Sequence, residues 1–211
     1  MVSFLIRDRR MAMNAYLLWI FAVFIVAISA WNGGWREALW SSLFSLAIAL
    51  IAYACLWQPR LVLNQAGVTV RNIIRTAWIP WSELDDIENR YGLYLHSSRL
   101  THKVPVWALP SRAITLGYAG RKSTEDDAIQ LDWDSPAGAY HYTMDIPQAC
   151  TALDVSRTRM TAPQRRGSSQ PSLPQPPHST LRLNTAALTA LAIAVVLVIC
   201  AVCLAIYLFF S

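Results

Sequence analysis

The sequence predicts an α+β membrane protein, in which three apolar helices flank a small β domain that ends in a helix. Three observations predict it. Residues 11–35, 38–59 and 183–211 carry no charge. Between the second and third of these lie short alternating segments punctuated by Gly, Asn and Pro, which is strand patterning. The chain of 211 residues is 55% hydrophobic and 15% charged, whereas soluble domains carry roughly a quarter charged residues.

A span needs about 20 mostly apolar residues. Residues 14–31, 38–57 and 186–210 meet that length and predict three transmembrane helices. A buried core helix of a small soluble domain rarely runs so far without a charge. The first segment follows Arg7, Arg9 and Arg10 like a signal peptide, but its apolar run is long for one. Ile28-Ser29-Ala30 also lacks a small residue at the first cleavage-site position, so a signal anchor is expected. Trp31, Trp35 and Trp40 crowd the first connection, Trp57 ends the second span, and Tyr207, Phe209 and Phe210 end the third. Aromatic rings of this kind favour the headgroup level.

Basic residues orient the spans. Three arginines precede the first, while Arg60, Arg71 and Arg75 follow the second. Arg165, Arg166 and Arg182 precede the third, and nothing basic follows it. The positive-inside rule then predicts a multi-pass protein of the cell membrane, with the N-terminus and the middle of the chain cytoplasmic and Ser211 outside. The spans carry small residues at every fourth position, Ser41, Ser45 and Ala49 in one and Ala186, Ala190 and Ala194 in another, which lets helices pack closely. No span has an internal charge, which disfavours an ion or proton path.

The expected domains are a tail and two spans in 1–57, a β domain in 58–160, a linker in 161–184 and the third span in 185–211. Arg60–Asn64 and Val68–Asn72 alternate around Gly67, whose backbone freedom suits a tight connection. Ile73–Ile79 continues as a strand, and Pro80 ends the ladder. Ser82–Asp86 reads as one helical turn capped by Ser82. Ile87–His96 and His102–Leu109 resume strand pattern, and 113–119 is a further candidate. Ala128–Trp133 and Ala139–Ile146 suggest a hairpin. Pro147–Arg159 reads as a helix with Ala149, Ala152 and Leu153 inward. The linker is rich in Pro, Ser and Gln and has too little apolar bulk for a core. Its arginines have no acidic neighbours, so it suits an anionic membrane surface as well as simple solubility.

The order Gly67-Val-Thr-Val-Arg71-Asn72, then Arg75, then Ile79-Pro80-Trp81 and an acidic turn resembles the PH-like domains of actinobacterial membrane proteins, of the low molecular weight protein antigen 6 PH domain type. The resemblance covers about residues 58–110. It implies a PH-like split β-barrel of about seven strands closed by a C-terminal helix, with Gly67, Arg71, Asn72, Pro80 and Trp81 as its structural motif. Eukaryotic PH domains that bind phosphoinositides place basic residues in the first hairpin. The turn here is Asn64-Gln65-Ala66-Gly67, so that ligand is not carried over.

Chemistry is sparse. His96, His102 and His141 lack metal-ligand spacing. Asp132-x-Asp134 fails the calcium-loop pattern at Pro136 and Ala137. There is no phosphate loop and no nucleophile elbow. No catalytic residue, cofactor or metal is expected, and Cys200-Ala-Val-Cys203 reads as helix packing rather than redox chemistry. Residues 58–154 hold nine Lys/Arg against eleven Asp/Glu, which argues against nucleic acid. The expected role is a non-enzymatic module presented to the cytoplasm for a protein partner or a homo-oligomer. The alternative is sensing of anionic lipid headgroups by Arg60, Arg71, Arg75, Arg165, Arg166 and Arg182.

Overall fold

A computed structural model describes residues 2–89, 92–109, 131–161 and 178–210. They fall into two compact units. One contains residues 1–8 and 60–183, the other 9–59 and 184–211.

Among the described residues the first unit holds nine strands and one α-helix: β1 (Val2–Ile6), β2 (Arg60–Asn64), β3 (Gly67–Arg71), β4 (Arg75–Pro80), β5 (Leu84–Glu88), β6 (Tyr94–Ser97), β7 (Val104–Pro105), β8 (Gly138–Tyr142), helix α2 (Ile146–Thr161) and β9 (Thr180–Leu183). Six strands form one sheet in the order β8-β1-β2-β3-β4-β9, and β5-β6-β7 form a second. Val2, Phe4, Ile6, Leu61, Leu63, Val68, Val70, Ala77 and Ile79 point inward from the large sheet and meet Leu84, Leu95 and Val104 of the small one. Ala149, Ala152 and Leu153 of α2 are buried in the same core, as their spacing predicts. Two sheets with a closing helix fit the expected PH-like domain, with nine strands among the described residues in place of about seven.

Several boundaries differ from expectation. The N-terminal tail is a strand. Val2-Ser-Phe-Leu-Ile6 alternates with period two, pairs antiparallel with β2 and parallel with β8, and buries Phe4 completely. Phe4 meets Trp133 edge-on at 4.6 Å and lies near Tyr140 and Tyr142. The end of the expected linker is also a strand, β9, which pairs antiparallel with β4. The turn after Pro80 is shorter than expected, Trp81–Glu83, and no side chain caps it. Leu84 and Asp86 already belong to β5, so the expected strand from Ile87 to His96 is instead a hairpin of β5 and β6. β8 pairs parallel with β1; of its expected hairpin partner, residues 131–133 are not in a strand and 128–130 lie outside the described residues. Residues 113–119 lie outside the described residues.

The second unit is helical. Two helices among the described residues are long and apolar enough to cross a membrane, Arg9–Trp57 and Thr185–Leu208, in place of the three separate ones expected. The first two expected spans are arms of one helical element, α1 (Arg9–Ala52), which runs into a π-helical turn at Tyr53–Trp57. The arms meet at Gly34, whose φ of 67° and ψ of −159° are not helical. Glycine adopts such a conformation without a Cβ penalty. The arms fold back on each other there. Trp19 Nε1 donates to the Ala49 carbonyl at 3.1 Å, and Tyr16 and Trp19 each lie 5.5 Å from Trp57. Trp31 and Trp35 stand exposed at the corner, with Arg36 over the Trp35 ring.

The last helix, α3 (Thr185–Phe210), starts at Asn184, whose Oδ1 accepts from Ala187 N at 3.5 Å as an N-cap. Its buried stripe is Ala187, Ala190, Ala194 and Ala201. Of the small residues singled out in the sequence, Ser41, Ser45, Ala190 and Ala194 are buried, Ala49 is half-buried and Ala186 is exposed. Cys200 and Cys203 are exposed rather than packed.

Candidate functional site

The large sheet has one border at which the chain changes character. β1 ends there at Ile6, β2 begins at Arg60, and β9 ends at Leu183. The register runs Arg60 opposite Arg71, Arg71 opposite Thr76, and Thr76 opposite Arg182. Residues directly opposite share a face, and side chains alternate along a strand. Since Leu61, Val70 and Ala77 point inward, Arg60, Arg71, Thr76 and Arg182 form one row on the outer face. Neighbouring strands are about 4.8 Å apart, so three guanidinium groups are held along a short line.

Arg75 is placed differently. It shares the inward parity of Ala77 and opens into a cavity of about 430 Å³ at the same border. The cavity lies between the Asn72–Arg75 turn, the connection from β6 to β7, and β9. Its lining includes the apolar Ile74, Leu100, Trp107 and Leu181 and the basic Arg75, Arg99, His102 and Lys103. Ile74, Trp107 and Leu181 are nearly half exposed, which is unusual for large apolar side chains grouped together. The cavity is at the opposite end of β3 from the Gln65–Ala66 turn.

Asn72 holds this end closed. Its Nδ2 donates to the Pro105 carbonyl at 2.6 Å, and its Oδ1 accepts from Trp107 N at 3.0 Å. The amide thus bridges the two sheets, with its donor and its acceptor each used.

Glu83, in the acidic turn after Trp81, organises the other wall. It is buried, and its carboxylate accepts from Ser179 N at 2.8 Å, Ser179 Oγ at 2.6 Å and Arg99 Nε at 3.0 Å. His178 Nδ1 lies 3.1 Å from it. Ser97 Oγ and Ser179 Oγ are 2.7 Å apart. The Ser179 hydroxyl, then its backbone N–H, His178 and Arg99 lower the Glu83 pKa to about 2, against an opposing effect of burial. One carboxylate therefore fastens the segment before β9 and also orients Arg99 at the cavity. Nothing in the sequence pairs Glu83 with Ser179, because they are far apart along the chain.

Of the remaining motif residues, Trp81 is buried with Nε1 donating to the Asn64 carbonyl at 2.8 Å. Pro80 makes the last β3–β4 pair, with Gly67. Gly67 does not use a positive φ. A Cβ there would run into the Trp78 ring and the Ile79 carbonyl, so its role is to make room. Lys103 and His96 both pair with Glu88 across the small sheet, and Lys103 first, then His96, lowers the Glu88 pKa. Asp132 caps its own turn through Asp134 N and Ser135 Oγ, while Asp134 pairs with Arg159 of α2. The Asp132–Asp134 loop is thus a structural turn. Among the described residues no group of three or more His, Cys, Asp or Glu is placed to hold a metal. Arg165 and Arg166 lie outside the described residues.

Two packed sheets closed by a helix are the architecture of a PH-like domain. In accord with it, a family model described as the bacterial PH domain matches residues 58–121, so the chain contains a bacterial PH-like domain. The matched segment takes in β2 to β7, and the fold adds β1, β8, α2 and β9 from outside it. No curated protein and no solved structure matches the chain.

Proposed function

We propose that this is a non-enzymatic, multi-pass protein of the cell membrane whose PH-like domain works at the cytoplasmic membrane surface by reading anionic lipid headgroups. The observation that carries this is the row Arg60, Arg71 and Arg182 on the outer face, at the border where the chain enters and leaves its apolar helices. Each basic residue near an anionic surface contributes about 1 kcal/mol. The low share of buried residues in the apolar helices, 11% in each window, and the Trp-rich corner at Gly34 favour a bilayer around them. The GVTVRN, Arg75 and IPW order supports the actinobacterial antigen type of this domain.

A second reading keeps a protein partner or self-association. Among the described residues β8 and β9 are the end strands of the large sheet, and an end strand can accept a strand from another chain.

The test places a fluorophore at Thr76→Cys, within the arginine row, in full-length protein reconstituted with headgroup-quenching lipid. Quenching is expected to rise with anionic lipid, to fall with salt, and to vanish in the triple variant R60S/R71S/R182S. Quenching independent of lipid charge would overturn the lipid reading, and covalent self-crosslinks through β8 would favour the second.

A further inference from the structure

We propose that the cavity between the Asn72–Arg75 turn, the β6–β7 connection and β9 is a binding site for an anionic amphiphile, completed by the docking of β9. The inference deepens the surface reading above and rests on it for access to membrane lipids. The cavity is a different place from the arginine row, since Arg75 has the inward parity and Arg60, Arg71 and Arg182 the outward one.

The lining carries two chemistries. Arg75, Arg99, His102 and Lys103 are its basic members, and no acidic residue is among the lining residues. Arg99 and Lys103 are tied to Glu83 and Glu88. Among the described residues no ion pair engages Arg75 or His102. These two are therefore the groups available to an incoming phosphate or carboxylate, and a guanidinium binds such heads through paired hydrogen bonds. Ile74, Leu100, Trp107 and Leu181 in the same lining offer contact to an apolar chain. A volume of about 430 Å³ is in the range of small-molecule sites. A ligand with a charged head and no chain would leave these apolar residues wet, and a neutral chain would leave the cations unanswered.

Leu181 enters the cavity from β9, and β9 is held by four pairs to β4 and by the Glu83 contacts to His178 and Ser179. Glu83 also holds Arg99, which lines the cavity. One carboxylate thus links the docked state of β9 to the shape of the site. By linkage, a ligand that needs β9 in place must in turn strengthen its docking.

The experiment is photolabelling of the full chain in zwitterionic nanodiscs with a diazirine-bearing decyl phosphate, mapped by peptide mass spectrometry. Inorganic phosphate serves as competitor, and a decyl maltoside carrying the same diazirine as the neutral probe. Labelling is expected on peptides spanning 72–77 and 99–109, displaced by unlabelled decyl phosphate and not by inorganic phosphate. Arg75→Ala with His102→Ala should lower the yield roughly tenfold, the loss of about 1.4 kcal/mol. Leu181→Trp, which fills space in the cavity, should do the same with an unchanged thermal midpoint, and Glu83→Gln should weaken labelling by loosening β9. Equal labelling by the neutral probe, or full displacement by inorganic phosphate, would overturn the amphiphile assignment. Labelling untouched by Glu83→Gln would overturn the coupling to β9. In R60S/R71S/R182S the cavity is expected to label normally while the Thr76→Cys response to lipid charge is lost, so the two readings fail separately.

Discussion

At the scale of single residues, the chain depends on close contacts between neighbouring strands and segments. Gly67 is a steric necessity rather than a conformational one, because the Trp78 ring lies where a Cβ would stand. Gly67→Ala is expected to cost roughly 1–3 kcal/mol, as overpacking does, read as a lower denaturant midpoint. Shrinking Trp78 to Leu in the same chain should recover part of the loss if the ring is the obstacle. Glu83 makes a second residue-scale prediction. Its pKa is 4.5 when free of these contacts and about 2 in the fold. The folded state therefore binds fewer protons than the unfolded one in that interval. The stabilisation is whole above about 4.5 and is lost as pH falls through about 2. Acid titration of the tryptophan fluorescence should show a step in that window that Glu83→Gln removes. A step of equal size in the variant would assign it to other carboxylates.

At the scale of elements, β1 decides the integrity of the domain. It is the strand between β2 and β8, and it carries Phe4 into the centre of the core. Phe4→Ala should destabilise the domain by about 3–5 kcal/mol, the usual cost of removing a buried aromatic ring. Thermal unfolding of the detergent-solubilised chain checks it. A loss below that of a surface substitution would mean that β1 is dispensable. The helical arms of α1 depend in the same way on Gly34, where a side chain would be strained at a positive φ.

At the scale of the whole molecule, topology follows from strand pairing as well as from charge. β1 and β2 are neighbours in one sheet, although residues 9–59 lie between them. Both ends of that segment must return to the same border, so a crossing by one arm of α1 must be reversed by the other. Together with the positive-inside rule this predicts that reporters at Met1 and within 162–177 lie in the cytoplasm and that one fused after Ser211 lies outside. A cytoplasmic signal from the Ser211 fusion would overturn the arrangement.

The amino-acid sequence alone determined the apolar helices, the alternation of β2, β3 and β4, the stop at Pro80 and the closing helix α2. Each of these is a local pattern, set by period, length or a backbone restriction, and such patterns are visible without a partner. The ends of the domain were not legible. Val2–Ile6 and Thr180–Leu183 both alternate, but one precedes arginines and an apolar run and the other follows a proline-rich stretch, so neighbouring composition masked them. The merging of two expected spans at Gly34 depended on one backbone conformation, which composition does not report. The tertiary structure alone decided which arginines share a face, that Arg75 departs from them into a cavity, and that Glu83 grips Ser179. Those facts rest on register and on contacts between residues distant in the chain, and a strand's pattern states which face a side chain takes but not which strand will lie beside it.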